Sequence, residues 1–329
     1  MGRAGHTALM SAPPSCWIVS KPYAGSQSQG MGLAQAAGLV GQPRLVDTRM
    51  KWKFVPPWLA PWLLRVMPPH PLAPPWPGVA IGCGADGAAL VAAMQQHGRG
   101  RGMATAAVAV QHPGMDPRRF LLVFVNPHDD LTGPNVVVTR TALHPVTDQR
   151  LATARLDWAA RFAHLPRPLV SVLIGGSNGR YQLTAAVAQA LAGQLAAMMR
   201  ADRVGLVLTP SRRTGPEVRR IFAETLQPLG AWVWDETDEN PYFGMLALSD
   251  LIIVTEDSVS MMSEAVATAA PVMLTRLPGR SGRIGRFTDA MLASGRVREF
   301  AGRFAPWPVV PMNDTLEAGA TLRRRLGYG

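Results

Sequence analysis

Cysteine is nearly absent from this chain, with only Cys16 and Cys83 among 329 residues. Neither has a partner at metal-ligand spacing, so both read as reduced, buried core residues of a cytosolic protein rather than as a disulfide framework. Long apolar runs are missing too. No stretch reaches the ~18 residues that a membrane span requires, and no basic region followed by an apolar signal core stands at the start. Residues 1 to 14 read as a disordered leader, and His6 stands where N-myristoylation after Gly2 would need Ser or Thr. Acidic side chains are outnumbered, 22 against 33 Lys and Arg, for a formal charge of +11. That excess suits phosphates, nucleic acid or an anionic lipid surface, and it suits equally an Arg- and Ala-rich composition with no ligand behind it. The arginines are scattered, as at Arg118 and Arg119 or Arg219 and Arg220. No aromatic-interleaved basic stripe appears, which argues against a nucleic-acid module.

What is present is alternation. Short apolar runs alternate with longer Ala-rich amphipathic segments, the pattern of an α/β protein with parallel sheets. A chain this long exceeds the ~250 to 300 residues at which single cores stop growing, so two domains are expected, with a cleft between them. Strands are predicted at 16 to 20, 44 to 47, 79 to 83, 104 to 110, 121 to 125 and 136 to 138, with helices ending near Leu39 and spanning 86 to 97. The segment 52 to 77, with Trp52, Trp58, Trp62 and Trp76, carries too many prolines for a regular helix or a central strand. Its indoles suit a membrane interface or a wrap around the core. After the PRP linker at 166 to 168 the pattern restarts, with strands at 169 to 175, 204 to 209 and 231 to 235 and helices at 182 to 199 and 242 to 249. The segment LIIVTEDSVSMMSEAVATAAPVML, 251 to 274, reads as strand, polar turn, helix and strand. A Gly- and Arg-rich loop at 277 to 286 follows, then helices at 289 to 294 and 314 to 325, the last capped by Asp314 or Thr315.

Two such halves fit a pair of facing Rossmann-like domains, in which ligands sit outside the carboxyl ends of the strands. Four loops at such ends carry polar chemistry. GGSNGR, with Gly175, Gly176, Ser177, Asn178, Gly179 and Arg180, allows close backbone approach to a phosphate at a helix start, or is an ordinary strand-to-helix turn. TEDSVSMMSEA packs Thr255, Glu256, Asp257, Ser258, Ser260, Ser263 and Glu264 between apolar strands, where an N-cap alone needs one of them. Glu264 lies among apolar helix positions, where a carboxylate suits a ligand hydroxyl such as those of ribose. KPYAGSQSQG, 21 to 30, reads as a long loop with Gly25 and Gln29 in which Ser26 or Ser28 could cap a helix. In VNPHDD, His128 and Asp129 can serve as a general base, or Asp129 and Asp130 can simply shape a turn.

WIVSKPYAGSQSQGMGLAQAAGL, FVNPHDDLTGPNVVVTRTALHPVT, VLIGGSNGRY and DLIIVTEDSVSMMSEA, in that order, together with NPYFGMLALSD, resemble the mitochondrial fission protein family of plants and its bacterial relatives. The resemblance spans Trp17 to Leu326. It departs in the first loop, which keeps Ala24, Gly25 and Gln29 but has Ser20 and Lys21 where the family is acidic at the start, and Ser26 where it often has His. The second half is also similar to the GT-B enzyme that adds N-acetylglucosamine to the peptidoglycan lipid intermediate. These likenesses imply a GT-B fold with an acceptor domain over 15 to 164, a nucleotide-sugar domain over 165 to 310 and a crossing helix over 311 to 329. They imply that Gly175, Gly176 and Ser177 face a diphosphate and that Glu264 binds ribose. Thr255, Asp257, Ser258 and Ser260 would line the pocket, with Asn178, Arg180 and Arg212 beside them.

The activity so implied is transfer of sugar from a nucleotide-diphosphate sugar to a lipid-linked or glycan acceptor, in the cytoplasm and against the inner face of a membrane. Domain closure would exclude water. No DxD pair occupies a suitable loop, so no metal or other cofactor is expected; Arg180, Arg212, Arg213 or the loop 280 to 286 would stabilise the departing diphosphate. The competing reading is a non-catalytic peripheral membrane or scaffold protein on the same fold. A nucleotide-sugar epimerase would need a GxGxxG near the N-terminus and a Tyr-x-x-x-Lys pair, and neither is found there.

Overall fold

A computed structural model describes residues 15–46, 52–56, 59–66, 72–98 and 105–327. The expected leader, residues 1 to 14, and Trp58 lie outside them. In chain order the elements are β1 (Ser15–Ser20), α1 (Ala24–Ala36), β2 (Val40–Leu45), α2 (Ala60–Val66), β3 (Val79–Cys83), α3 (Gly84–Gly98), β4 (Ala106–Val110), β5 (Leu122–Val125) and β6 (Val136–Val138). There follow α4 (Asp148–Phe162), β7 (Leu169–Ile174), α5 (Ala185–Asp202), β8 (Gly205–Pro210), α6 (Pro216–Leu226), β9 (Trp232–Val233), α7 (Tyr242–Leu248) and β10 (Leu251–Thr255). Last come α8 (Val259–Val266), β11 (Val272–Thr275), α9 (Gly282–Ala293), β12 (Val297–Glu299) and α10 (Thr315–Leu326).

These elements form two Rossmann-like units. The first comprises Met1–Val125, Leu131–Val138 and Thr315–Gly329; the second comprises Asn126–Asp130 and Thr139–Asp314. In the first, the strand order is β2-β1-β3-β4-β5-β6, and every neighbouring pair runs parallel. In the second, the order is β12-β11-β10-β7-β8-β9, again parallel throughout. Central strands such as LIIVT of β10 are buried along their whole length, as strands covered by helices on both faces must be. The edge strand β2 tolerates Pro43, which would cost a central strand a ladder bond. The last helix, α10, belongs to the first unit: a Cβ on Gly319 would collide with the backbone of Ala36 in α1.

Several expectations shift. The expected boundary at 164 and 165 moves to 138 and 139, because α4, absent from the predicted elements, buries Trp158 and Phe162 in the second core beside Trp232. The long loop 21 to 30 is mostly helix. α1 starts at Ala24 with Tyr23 as N-cap, so neither Ser26 nor Ser28 caps it. Apolar contact overrides weak local propensity there: Gly30 lies so close to Ile18 and the Cys83 thiol that any side chain would clash. In the Pro-rich segment α2 forms with Pro61 in its first turn, where a missing N–H costs nothing. Trp52 is buried in the core, Trp76 donates to the Leu72 carbonyl at 3.0 Å, and Trp62 is exposed. α9 begins at Gly282, inside the expected loop, because Ser281 caps it by accepting from the Ile284 N–H.

Candidate functional site

Each sheet reverses its winding at one place, between β1 and β3 in the first unit and between β7 and β10 in the second. Crevices at the carboxyl ends of such strand pairs are where open α/β sheets take ligands. In the second unit GGSNGR leaves β7 and TEDSVS leaves β10, so the two loops singled out in the sequence meet at that point.

Side chains of the second loop accept from the backbone of the first. The Gly175 N–H donates to Thr255 Oγ1 at 2.8 Å and the Gly176 N–H to Asp257 Oδ2 at 3.1 Å. Asp257 has a fully buried side chain, paired with the Arg213 guanidinium at 2.7 Å. Its Oδ1, without a hydrogen-bond partner among the described residues, presses on Gly175, where a Cβ would collide with the carboxylate. A Cβ on Gly176 would strike the Arg213 carbonyl. Both glycines are thus required by loop-to-loop packing. Ser211 and Thr214, after β8, both donate to the Gly175 carbonyl. Ser177 accepts from the Leu183 N–H at 2.9 Å, and Asn178 Oδ1 from Arg180 and Tyr181, so both hold the turn itself. Arg180 reaches Ser281 Oγ at 3.0 Å. Arg212 is exposed, and its neighbour Arg213 makes the contact with Asp257.

On α8, Ser258 caps the helix by accepting from the Met261 N–H at 3.3 Å, and Ser260 is half-buried. Ser263, fully buried, accepts from the Ala142 N–H at 3.0 Å. Glu264 is 7% exposed and takes a hydrogen bond from the Tyr242 hydroxyl. Burial, with the adjacent Glu264 charge, pushes the Tyr242 phenol well above its ordinary pKa, so it stays a donor. Arg150 sits over the Phe243 ring at 3.7 Å; burial lowers its pKa and the Glu264 charge opposes that.

Beside this crevice, a cavity of about 490 Å³ opens over the carboxyl ends of β10 and β11 and the start of α9. Glu256, Arg276, Arg280, Ser281, Gly282 and Arg286 help to line it. Glu256 is buried, accepting from the Leu277 N–H at 2.7 Å and pairing with Arg276 at 3.1 Å.

His128 and Asp129 also belong to the second unit, against α9. Asp129 pairs with Arg283 at 2.6 Å and accepts from the Asn126 N–H at 3.2 Å. Arg286 donates to the His128 carbonyl at 2.8 Å. His128 is 9% exposed, with Nε2 4.0 Å from Asp129 and, among the described residues, no partner at Nδ1. Burial lowers its pKa, more than the Asp129 charge can offset, and Arg283 and Arg286 lower it further. Of the two, His128 has the neutral form that a base needs, while both Asp129 oxygens are occupied. Gly25, Ser26 and Gln29 lie in the first turns of α1 in the first unit, and Gln29 is buried.

Sequence reasoning missed Tyr242 and Ser281, for which no local pattern stood out, and it expected Arg213 at a diphosphate, whereas Arg213 pairs with Asp257. It also passed over a GxGxxG spacing, Gly82, Gly84 and Gly87 in GCGADG, between β3 and α3. A Cβ on Gly82 would lie 2.5 Å from the Gly87 carbonyl oxygen, and one on Gly87 2.5 Å from that of Val19. These glycines let α3 pack directly on the sheet.

Two parallel-sheet Rossmann-like units with ligand-type loops at a winding reversal define a GT-B-type fold. UDP-GlcNAc 2-epimerase from Methanocaldococcus jannaschii shares it, with a TM-score of 0.52 at 10% identity over 96% of this chain and 100% of that one. Acinetobacter baumannii MurG overlaps over 96% of this chain and 92% of its own at 13% identity, with a TM-score of 0.48. The chain belongs to the Mitochondrial fission ELM1 family, whose pattern it matches over residues 24–326. It is 30% identical over 277 residues to Mitochondrial fission protein ELM1 of Arabidopsis thaliana, covering 76% of this chain and 64% of the plant protein. The chain therefore spans just under two thirds of that relative. An epimerase occurs on this fold, so the lack of an N-terminal GxGxxG does not bear on that class.

Proposed function

We propose that the second unit binds a nucleotide-diphosphate sugar at the carboxyl ends of β7, β10 and β11, and that the chain is a metal-independent glycosyltransferase. The observation that carries this reading is the coincidence, at one winding reversal, of GGSNGR, TEDSVS and an arginine-lined cavity. Glu264 takes the ribose hydroxyls, sharing its carboxylate with Tyr242. In the reaction an acceptor hydroxyl oxygen bonds to the anomeric carbon while the bond from that carbon to the diphosphate oxygen breaks. The diphosphate leaves with the electron pair, stabilised by guanidinium groups, and the hydroxyl proton passes to neutral His128. The acceptor is a lipid-linked or glycan hydroxyl, met in the cytoplasm at the inner face of a membrane. Phe54 and Trp62, 72% and 57% exposed, and the +11 charge support that surface contact. Among the described residues no helix is long and apolar enough to cross a membrane.

A second reading, a non-catalytic peripheral scaffold on the same fold, is favoured by the internal engagement of Thr255, Asp257 and Glu264. Thermal shift with UDP, GDP, ADP and CMP and their sugars separates the two. A ligand at a hundredfold its Kd should add about 3 kcal/mol of stability. Glu264→Gln should remove that shift while leaving the unliganded Tm nearly in place. No shift with any nucleotide would leave the scaffold reading standing.

A further inference from the structure

We infer that the cavity at the start of α9 is a diphosphate site, and that it, rather than the GGSNGR turn, takes the diphosphate of the donor. The second half rests on the donor reading above.

The turn is a poor host for an anion as it stands. The Gly175 and Gly176 N–H groups are held by Thr255 and Asp257, and the buried Asp257 carboxylate lies against those glycines. A diphosphate there would have to displace one of these acceptors and lie beside a negative charge. Arg213 is paired with Asp257, and Arg180 donates to Ser281.

The cavity is built the other way. Three guanidinium groups, Arg276, Arg280 and Arg286, face two carboxylates, Glu256 and Asp289. Arg276 is balanced by Glu256 and Glu299 at 3.1 and 3.0 Å. Among the described residues Arg280 has no hydrogen bond or ion pair from its side chain, and Arg286 donates to the His128 carbonyl and pairs with the exposed Asp130 at 3.6 Å. The floor is the first turn of α9, where Ser281 caps Ile284 and the N–H groups of Gly282 and Arg283 have no intrahelical partner. A Cβ at Gly282 would meet nothing within 4 Å, so the backbone there is open to a ligand. Two guanidinium groups with spare donors over a helix start match the charge and multiple acceptors of a diphosphate. Because Arg286 also donates to the His128 carbonyl, one side chain of α9 links the anion site to the turn that carries the base.

The test is calorimetric titration of the full chain with inorganic pyrophosphate, with UDP, GDP and ADP, and with farnesyl diphosphate. Arg280→Ala should weaken pyrophosphate roughly 10- to 100-fold, the loss of one or two charge-assisted hydrogen bonds. Gly179→Ala, on the open side of the GGSNGR turn, should leave it unchanged, since a Cβ there meets nothing within 4 Å. Unchanged pyrophosphate binding in Arg280→Ala, or none in the unsubstituted chain, would overturn the site. A nucleoside diphosphate that binds more tightly than pyrophosphate, and depends on Arg280, supports both halves. Nucleotide binding indifferent to Arg280 but lost in Gly179→Ala would keep the donor reading and sink this one. Arg280-dependent pyrophosphate binding with no gain from any nucleoside would keep the anion site and sink the donor reading. Arg280-dependent binding tightened by the farnesyl chain alone would assign the site to a lipid diphosphate and overturn the second half.

Discussion

At the carboxyl ends of β1 and β3 the first unit passes into α1 and α3 within a few residues, and backbone closes the crevice. Gly87 lies against the Val19 carbonyl, Gly84 turns the chain at φ +71°, and a half-exposed Lys21 pairs with Asp86 at 2.7 Å. At the ends of β7 and β10 the second unit instead joins two longer loops through side chains, with Thr255 and a fully buried Asp257 accepting from glycine N–H groups. The same winding rule therefore yields a packed junction in one unit and a polar one in the other. Polar groups that can be redistributed around a ligand are concentrated in the second, which is why the functional proposal rests there.

The sharpest way to break this contrast is to remove one carboxylate from each junction. Asp257→Ala removes the only fully buried carboxylate of the two pairs and leaves the Gly176 N–H buried without an acceptor, and should cost about 2 to 3 kcal/mol. Asp86→Ala removes a pair whose lysine is 36% exposed, and should cost less than about 1 kcal/mol. Urea unfolding of both variants measures the difference, and equal costs would erase the distinction.

Acid should also tell the units apart. Burial lowers the His144 imidazole of the second unit to about 4, with Asp314 opposing, and the Val146 N–H donates to its Nδ1 at 3.3 Å. Because the folded pKa lies below the ordinary value of 6.5, the unfolded chain binds the extra proton first between pH 6.5 and 4. The contribution is complete above that window and falls as pH drops through it, by up to roughly 3 kcal/mol at its lower end. Hydrogen exchange at pH 7 and pH 4.5 should show the second unit loosening before the first. A His144→Asn variant should flatten the dependence.

Smaller effects come from glycine. Gly87→Ala drives a methyl group into the Val19 carbonyl and should cost about 1 to 3 kcal/mol or more. Gly179→Ala points into open space and should stay within about 0.5 kcal/mol of the parent, read by Tm in the same buffer.

How legible these features were in the sequence depended on how local their causes are. β10 and α7 stood out because a continuous apolar run and a helical turn bounded by polar residues need no distant partner to be recognised. The first turns of α1 did not, because AGSQSQGMGLAQA is weakly amphipathic and its start is fixed by Gly30 packing on Ile18. α4 carries its signal in Trp158 and Phe162, whose partner Trp232 comes much later in the chain. For the site, the winding rule picked out the loops that meet, but not what each side chain does. Whether Asp257 faces a ligand or the Gly176 N–H depends on the approach of two loops some 80 residues apart. That Arg213 rather than Arg212 reaches inward is a matter of which neighbour the turn after β8 points toward Asp257.

Ligand binding at the polar junction is tested most directly by hydrogen–deuterium exchange of the full chain, with and without saturating UDP-, GDP- and ADP-sugars. Slower exchange across residues 175 to 182, 255 to 264 and 278 to 286 with at least one of them, and no change across 20 to 30 or 82 to 88, is the expected result. Exchange unaltered by every sugar nucleotide, or slowed only at the β1 and β3 ends, would contradict a nucleotide-sugar site in the second unit.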